Sequence, residues 1–282
     1  MLGASLVKFL SKKYDVYGTS KTLSYSMPSK KFMEFDLIKN SYEPLINWSK
    51  PDTIIHCAAN TNLDKCEKNP ELAYKTNSDP IKKFLTSMGD CRFIFISSDA
   101  VFDDNKLSPN EKDKTNPLNV YGMSKKLAED YLLQSKSNYL IIRTTIVGKN
   151  LNRTKTSFVD WIIKSLIQKK HIKLFDDVLF SPITIWCLCN EIDWILENDV
   201  SGVFHIAGVE TVSKFNFGKA LCNAMKLDKT LIHRASIEDI NFHANRQRNQ
   251  TIDSSNYQEI HSRSLPRLTD TIKDLVKNIN LN

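Results

Sequence analysis

Two residues with acid–base chemistry stand four positions apart in the sequence, Tyr121 and Lys125. On an α-helix, positions i and i+4 lie on one face, so the phenol and the ammonium would project together. A neighbouring ammonium lowers the pKa of a phenol, which would provide an acid and base for a carbonyl and alcohol pair near neutral pH. Taken alone, the spacing also fits an exposed Tyr–Lys pair, so the chemical interpretation needs a second feature.

That second feature lies upstream, where a strand predicted over residues 92–98 ends in Ser97 and Ser98 and is followed by Asp99. Its continuous apolar run is typical of a strand that is buried on both faces. In open α/β sheets, ligands bind at the carboxyl ends of parallel strands. We therefore expect Ser98 to hydrogen-bond the substrate oxygen that Tyr121 protonates. The alternative is that the two serines only cap the strand end.

The elements around these residues alternate between β-rich runs and amphipathic segments. The alternation predicts an α/β fold of the Rossmann-like type, a doubly wound parallel sheet, over residues 1–148. The predicted helices cover residues 4–13, 71–88 and 116–135, and the predicted strands cover residues 14–18, 31–35, 53–59, 92–98 and 139–143.

The alternation of predicted strands and helices changes near residue 149. Helical patterns now alternate with short strands such as residues 202–206, and we expect residues 149–282 to form a smaller substrate-binding lobe with some segments returning to the Rossmann-like domain. The predicted helices of this part cover residues 158–168, 183–197, 215–225 and 269–279.

Composition excludes several classes of protein. The 282 residues are 41% hydrophobic and 25% charged, which is typical of a folded globular protein. No apolar run approaches the roughly 20 residues that span a bilayer, so no membrane partner is expected. The net charge of +7 suits an anionic ligand such as a nucleotide, although a solvated Lys-rich surface explains it equally well. Basic residues do not interleave with aromatic ones in a block, so nucleic acid is not an expected partner.

The six cysteines form no CxxC pair and no Cys/His set at zinc spacing, so we predict no metal site. Several lie inside apolar runs, where a free thiol behaves as a small hydrophobic group. This usage indicates a reducing compartment, and we expect a cytoplasmic protein. The cysteines are Cys57, Cys66, Cys91, Cys187, Cys189 and Cys222.

Short motifs are spread over the chain: HCAANT (56–61), DKCE (64–67), Asn77, ISSDAVFD (96–103), PLNVYGMSK (117–125), IRTT (142–145), RQRN (246–249) and ID (252–253). In this combination the sequence resembles the extended short-chain dehydrogenase/reductase superfamily, and most closely its dTDP-4-dehydrorhamnose reductase-like branch.

The resemblance implies an NAD(P)-dependent oxidoreductase that reduces a keto-sugar attached to a nucleoside diphosphate. Hydride from NAD(P)H would reach the carbonyl carbon while Tyr121 protonates the oxygen. Lys125 would lower the pKa of the tyrosine and hold the nicotinamide ribose, and Ser98 would orient the carbonyl.

The resemblance also implies two sets of binding residues. Around the cofactor it places Gly3, Asp36, Leu37, Ala58, Ala59, Asn60 and Ser97, together with Tyr121 and Lys125. Around the substrate it places Ser98, Asp99, Arg143, Arg246 and Asn249, where the arginines would pair with a pyrophosphate unless they are surface cations.

The cofactor can be chosen on physical grounds. NAD binding usually needs an acidic residue at the end of the second strand, for the ribose 2′-hydroxyl. Here Ser20 and Lys21 follow the predicted strand, and a hydroxyl and a cation suit a 2′-phosphate. We therefore expect NADPH rather than NADH, the alternative being that these residues only form a polar loop.

The N-terminus departs from the family pattern, because Gly3 corresponds to the third glycine of a phosphate-binding loop. The first strand and most of the glycine-rich loop are absent from the sequence. We expect the natural protein to begin about 10 to 15 residues earlier, which is the length of one strand and its turn. The alternative is a genuine truncation, with a damaged or non-catalytic protein.

Two further departures concern the substrate. Ala100 stands where the dTDP-4-dehydrorhamnose reductases carry Tyr, and Ile146 stands where they carry Trp. Their loss removes stacking surface and hydrogen bonding near the sugar or base. We therefore expect a different nucleotide-linked sugar, for a surface polysaccharide.

Two alternatives stay open. An epimerase or dehydratase of the same superfamily is one, although Asp99 alone follows Ser98, without the Asp–Glu pair that water elimination would favour. A non-catalytic binding subunit is the other, because the regulatory subunit of methionine adenosyltransferase resembles the same branch. A homodimer is also open, since the superfamily often dimerises through helices.

Overall fold

The computed structural model describes residues 1–22, 29–151 and 155–280. Its α-helices are α1 (Leu2–Leu10), α2 (Glu43–Ser49), α3 (Leu63–Lys68), α4 (Pro70–Asn77), α5 (Asp79–Ser87), α6 (Val120–Leu133), α7 (Phe158–Ile167), α8 (Ile185–Asn198), α9 (Lys214–Ala224), α10 (Ser255–His261) and α11 (Leu268–Asn280). Its strands are β1 (Gly18–Ser20), β2 (Phe32–Glu34), β3 (Thr53–His56), β4 (Arg92–Ile96), β5 (Tyr139–Arg143), β6 (Ile146–Val147), β7 (Ile172–Phe175), β8 (Leu179–Phe180), β9 (Ile183–Thr184), β10 (Gly202–His205), β11 (Val212–Ser213), β12 (Ile232–Ala235) and β13 (Asn249–Gln250).

The main sheet has four parallel strands in the order β10-β5-β4-β3. Every residue of β4 is buried, because helices cover both faces of the sheet. On one face Ile94 and Leu140 pack against α1 and α8, and on the other Phe93 and Ile141 pack against α5 and α6. This arrangement confirms the predicted α/β class with a parallel, helix-covered sheet.

The strand β10 was expected among the short strands of the C-terminal part, yet it pairs in parallel with β5. Gly202 lies opposite Leu140, and His205 lies opposite Arg143. This segment of the C-terminal half therefore returns to the main sheet.

The strand predicted over residues 14–18 is misplaced, since β1 begins only at Gly18 and pairs in parallel with β2. The residues before β1 have side chains that are common in strands, but here these side chains serve packing and hydrogen bonding. Val16 packs into the core beside α8, and the Tyr14 hydroxyl donates to Asp193 Oδ1 at 2.8 Å. Tertiary contacts thus hold this segment in place without a strand ladder.

The single helix predicted over residues 71–88 is two helices, α4 and α5, which meet at Ser78. Pro80 lies in the first turn of α5, where its missing N–H costs nothing, whereas in a continuous helix it would break a hydrogen bond. The Ser78 hydroxyl donates to the carbonyl oxygen of Ser124 at 2.8 Å. The junction is therefore fixed against α6.

The C-terminal part forms its own core from α7, α9 and α11, around residues such as Ile162 and Phe217. The short strands of this part and of the segment before it form three small sheets, β12-β7, β6-β9 and β11-β8-β13. Within the described ranges no helix combines the length and apolarity that crossing a membrane requires.

Candidate active site

The helix α6 carries the predicted acid–base residues, and its N-terminus is fixed by its own cap residue and by contacts with two other segments. Asn119 caps the helix, since its Oδ1 accepts from the N–H of Gly122 at 2.9 Å. Its amide also donates to the carbonyl oxygen of Asn245 at 2.9 Å. The N–H of Val120 donates to Glu67 Oε2 at 3.0 Å. Three parts of the chain thus set the position of Tyr121.

Gly122 lets α6 approach the turn that follows β4. A Cβ at this position would lie 2.1 Å from the carbonyl oxygen of Ala100 and 2.8 Å from Pro117 Cβ. No larger residue fits without moving backbone. The sequence motif contained this glycine, but the sequence alone did not show the contact with Ala100 that requires it.

The structure brings the Ser98 and Tyr121 side chains together, as predicted from their order in the chain, and the Ser98 hydroxyl acts on the pKa of the Tyr121 phenol. The Ser98 hydroxyl donates to Asp99 Oδ1 at 2.8 Å and accepts from the N–H of Ala100 at 3.2 Å. Ser98 therefore also caps a short 3₁₀ turn, which was the alternative interpretation of this serine.

The pKa of Tyr121 is raised above its ordinary value. Burial raises the pKa of the phenol most, the nearby Asp99 carboxylate raises it further, and the Ser98 hydroxyl lowers it. At neutral pH the phenol therefore keeps its proton, as a proton donor must. That Lys125 lowers this pKa, as the resemblance implies, stays a prediction.

Lys125 is almost completely enclosed, with 2% of its surface exposed. Its ammonium donates to the carbonyl oxygen of Ile96 at 2.6 Å and lies 3.9 Å from the centre of the Phe95 ring. Burial lowers the pKa of Lys125 to about 7. The cation is thus directed at the end of β4, one helical turn beyond Tyr121.

A second lysine near the site was missed by the sequence analysis. Lys214 begins α9, and its ammonium lies 3.4 Å from the centre of the Phe180 ring. Burial lowers the pKa of Lys214 and raises that of Asp99, and each charge opposes this effect on the other. The C-terminal part therefore supplies a cation next to the predicted substrate-binding residue Asp99, and no motif marked it.

The residues predicted to line the cofactor after β3 lie at the same edge of the sheet as Ser98. Asn60 is held there by Asn77, which accepts from its N–H at 2.7 Å and donates to its carbonyl oxygen at 3.1 Å. The amide of Asn77 also donates to the Ser124 hydroxyl at 2.9 Å. Ala58 is exposed, so its backbone is open to a ligand.

The other predicted cofactor residues fall into two places. Lys21 and Asp36 form an ion pair of 3.1 Å beside the end of β1, where the Ser20 hydroxyl donates to the carbonyl oxygen of Thr22. Leu37 follows Asp36 and packs on the core. Gly3 lies in the first turn of α1, where a Cβ would make ordinary contact with Cys57 at 3.5 Å.

Arg143 and Ser97 have other partners than those predicted. Arg143 is 4% exposed, and its guanidinium donates to both carboxylate oxygens of Glu129 at 2.7 to 3.2 Å. It also lies 3.3 Å from His205 Nε2. The Ser97 hydroxyl donates to Glu129 at 2.5 Å. These groups are turned into the core, which argues against the predicted ligand contacts of both residues.

Arg246 and Asn249 are likewise occupied within the chain. Arg246 forms an ion pair of 2.5 Å with Asp64, whose other oxygen accepts from the N–H of Ala244 at 2.9 Å. The Asn249 side chain donates to the carbonyl oxygen of Lys106 and accepts from Thr251 at 2.5 Å. Asn249 therefore holds a loop through these bonds, and its substrate contact stays a prediction.

The parallel sheet and the Ser98, Tyr121 and Lys125 side chains at the end of its central strand define a protein of the extended short-chain dehydrogenase/reductase class. The RmlD substrate binding domain family matches residues 1–281. The chain therefore belongs to the RmlD substrate binding domain family.

Individual relatives agree with this membership. A probable low-salt glycan biosynthesis reductase from Haloferax volcanii is 30% identical over 229 residues, 79% of this chain and 76% of that protein. Methionine adenosyltransferase 2 subunit beta from Bos taurus is 26% identical over 247 residues, 80% of this chain and 70% of that protein.

A solved structure shows the same fold. The dTDP-4-dehydrorhamnose reductase from Bacillus anthracis str. Ames, in complex with NADP, has a TM-score of 0.82 at 22% identity and covers 98% of this chain and 97% of that one. The predicted resemblance is confirmed, and the names of the two reductases agree with the predicted class of enzyme, an oxidoreductase.

Proposed function

We propose that the protein reduces a keto-sugar attached to a nucleoside diphosphate, using NADPH. One observation carries the proposal: the Tyr121 phenol, which keeps its proton, lies beside the Ser98 side chain at the carboxyl end of β4, and Lys125 lies one helical turn away. A carbonyl oxygen next to these two hydroxyls would be placed for protonation.

The chain's own residues explain the proton side of such a reaction. The cofactor, when bound, supplies hydride to the carbonyl carbon. Tyr121 gives its proton to the carbonyl oxygen, so hydride and proton together convert the ketone to an alcohol. Ser98 orients that oxygen through a hydrogen bond. The Lys125 ammonium stabilises the phenolate left on Tyr121 until solvent returns the proton.

The cofactor fits the residues at the sheet edge. The small side chains of Ala58 and Ala59 leave backbone accessible, and Lys21 extends into solvent beside the end of β1 with 73% of its side chain exposed. A cation at this place suits the 2′-phosphate of NADPH. The Bacillus anthracis reductase, solved in complex with NADP, supports the same choice.

The cellular role and location are part of the proposal. Relatives named for low-salt glycan biosynthesis and spore coat polysaccharide biosynthesis support a role in polysaccharide synthesis. The six cysteines are all free thiols, which supports a reducing compartment, the cytoplasm.

We further propose that residues 1–148 bind the nucleotide cofactor, and that residues 149–282, apart from β10, bind the substrate.

The rival function is that of a non-catalytic subunit, supported by the relationship to methionine adenosyltransferase 2 subunit beta. Oxidation of NADPH in the presence of nucleoside diphosphate keto-sugars distinguishes the two. A reductase consumes NADPH in proportion to the alcohol formed with at least one sugar. Tight NADPH binding without turnover on a panel of dTDP- and UDP-linked 4-keto-sugars would contradict the proposal.

The choice of NADPH leads to a prediction for Lys21. The variant Lys21→Glu should lose roughly a factor of 10 to 100 in its preference for NADPH over NADH, because a charge-assisted contact contributes about 1.5–3 kcal/mol. Fluorescence titration with both cofactors measures the ratio. Lys173→Glu makes the same charge change on an exposed residue of β7 and should leave the ratio unchanged. An unchanged ratio in Lys21→Glu would remove this lysine from the cofactor site.

A further inference from the structure

A carboxylate that the proposed reaction does not use lies directly behind the site. Glu129 is on α6, four residues after Lys125 and eight after Tyr121, so the three side chains follow one face of the helix. Only 1% of Glu129 is exposed. Burying a charge so completely is costly unless partners compensate it, so its surroundings explain why it is there.

The carboxylate is fixed by two groups from neighbouring strands. Ser97, just after β4, donates its hydroxyl to Oε1 at 2.5 Å. Arg143, at the end of β5, donates Nη2 to Oε2 at 2.7 Å and Nε to both oxygens at 3.1 and 3.2 Å. Both oxygens of Glu129 therefore have partners, and the side chain has one orientation.

Lys125 ends beside the same two residues of the chain. Its ammonium donates to the carbonyl oxygen of Ile96, and the hydroxyl bound by Glu129 belongs to the next residue, Ser97. The ammonium and the carboxylate, one helical turn apart, thus meet successive residues at the end of β4. The Glu129 charge acts on Lys125 and opposes the effect of its burial.

The other titratable groups that face Lys125 carry no charge at neutral pH. On β3, burial lowers the pKa of His56 to about 3, so this imidazole is neutral. After β3, burial raises the pKa of Cys57 to about 12, so this thiol keeps its proton. The uncharged contacts of the ammonium are the Phe95 ring of β4 and the carbonyl oxygen of Ile96. Among the described residues around Lys125, the negative charge comes from Glu129.

We infer that Glu129 is a positioning residue, the counter-ion that keeps the buried Lys125 ammonium charged and directed at the end of β4. The inference concerns electrostatics, and its importance for the reaction rests on the proposed function. Arg143 contributes indirectly, because its hydrogen bonds hold the Glu129 carboxylate in place.

The direction of the effect follows from the pKa of Lys125. Burial lowers that pKa to about 7, whereas Glu129 raises it. Without the carboxylate the ammonium would lose its proton at a still lower pH, and roughly one pH unit is the smallest shift expected when a neighbouring opposite charge is removed. Activity that needs the charged lysine would then decline at a correspondingly lower pH.

The test must separate this role from simple neutralisation of Arg143. Glu129→Gln alone would leave the Arg143 cation buried and unpaired, which is strongly destabilising. The double variant Glu129→Gln/Arg143→Met removes both charges and keeps similar volumes, so it should fold. Glu129→Asp keeps the charge and serves as the matched control.

The pKa of Lys125 can be measured without any substrate. NMR of protein labelled at the lysine ε-carbon follows the titration, and Lys125→Met assigns the resonance. Because the double variant also removes the Arg143 cation, its reference is Arg143→Met, which removes the same cation and keeps the Glu129 charge. The double variant should titrate roughly one pH unit or more below Arg143→Met, and Glu129→Asp should stay close to the parent. A folded double variant that titrates with Arg143→Met would overturn the inference. If the double variant does not fold, the test uses Glu129→Asp, in which Lys125 should titrate with the parent's midpoint. A midpoint lower by roughly one pH unit would contradict the inference, because it would show that the charge at position 129 alone does not set the pKa of Lys125.

The pH profile of NADPH oxidation is the second measurement. The alkaline limb of kcat should move to lower pH in the double variant, in step with the NMR titration. An NMR shift without turnover in any protein, the parent included, would refute the proposed reductase function and leave the electrostatic role of Glu129 intact.

Discussion

The variant Tyr121→Phe should lose about 10²- to 10⁴-fold in kcat for keto-sugar reduction, while its affinity for NADPH stays within a factor of two or three. The phenol is the group placed to protonate the carbonyl oxygen, and the variant lacks only that hydroxyl. The ring itself packs with Cys66, Ala73 and Ala100, and phenylalanine preserves these contacts. Folding should therefore be retained, and the loss should appear in the chemical step.

Tyr74→Phe is the matched control for this variant. Tyr74 packs against the same cluster from α4, and among the described residues its hydroxyl has one hydrogen-bond partner, Met123 Sδ at 3.8 Å. Steady-state kinetics and thermal unfolding of the two variants should show an effect of Tyr121→Phe on kcat alone. Full activity in Tyr121→Phe would mean that another group protonates the substrate. A binding function that survives the substitution, in a chain without turnover, would favour the regulatory subunit.

Three of the four strands of the main sheet were predictable because they are continuous apolar runs that end in polar residues. The strands β3, β4 and β5 lie within the ranges predicted from sequence. The misplaced β1 shows the limit of this reasoning, because Tyr14 and Val16 are β-type residues that serve packing against α8 instead. Pro80 was a readable signal for the break between α4 and α5, although the apolar periodicity ran through it.

The catalytic set was predictable for a different reason, since its spacing is local. Tyr121 and Lys125 share a helix face by geometry, and Ser98 follows a strand end. The partners of Arg143 could not be predicted, because its contact with Glu129 depends on how α6 packs on the strand that follows it. An arginine in such a motif looks identical in sequence whether it faces a phosphate or a buried carboxylate.

Lys214 is a second residue whose role could not be predicted from the sequence. It lies 93 residues after Tyr121 in sequence, and only the return of the C-terminal part to the sheet brings it near Asp99. A lysine at the start of a helix carries no chemical signature of its own. Long-range charge pairs of this kind can be found only once the topology is known.

The variant Gly122→Ala should destabilise the protein by about 2 kcal/mol or more, although the same change in an ordinary helix stabilises it by roughly 0.5–1 kcal/mol. The sign reverses because the added Cβ would lie 2.1 Å from the carbonyl oxygen of Ala100, a backbone atom that cannot rotate away. Urea unfolding measures the loss. Met123→Ala, at the next position and on the exposed side of the helix, should stay within about 0.5 kcal/mol of the parent.

The same substitution should also reduce activity in the fraction that remains folded. To accept the new methyl group, α6 must move away from the turn over Asp99–Val101, and Tyr121 moves with the helix while Ser98 stays with the strand. A displacement on the order of 1 Å between positioned groups can cost about 10²-fold in rate. A Gly122→Ala protein that unfolds at higher urea than the parent would show that this contact does not set the distance between Ser98 and Tyr121. Loss of stability together with kcat, and not of NADPH affinity, would show that one glycine fixes both the packing of α6 and the geometry of the proton donor.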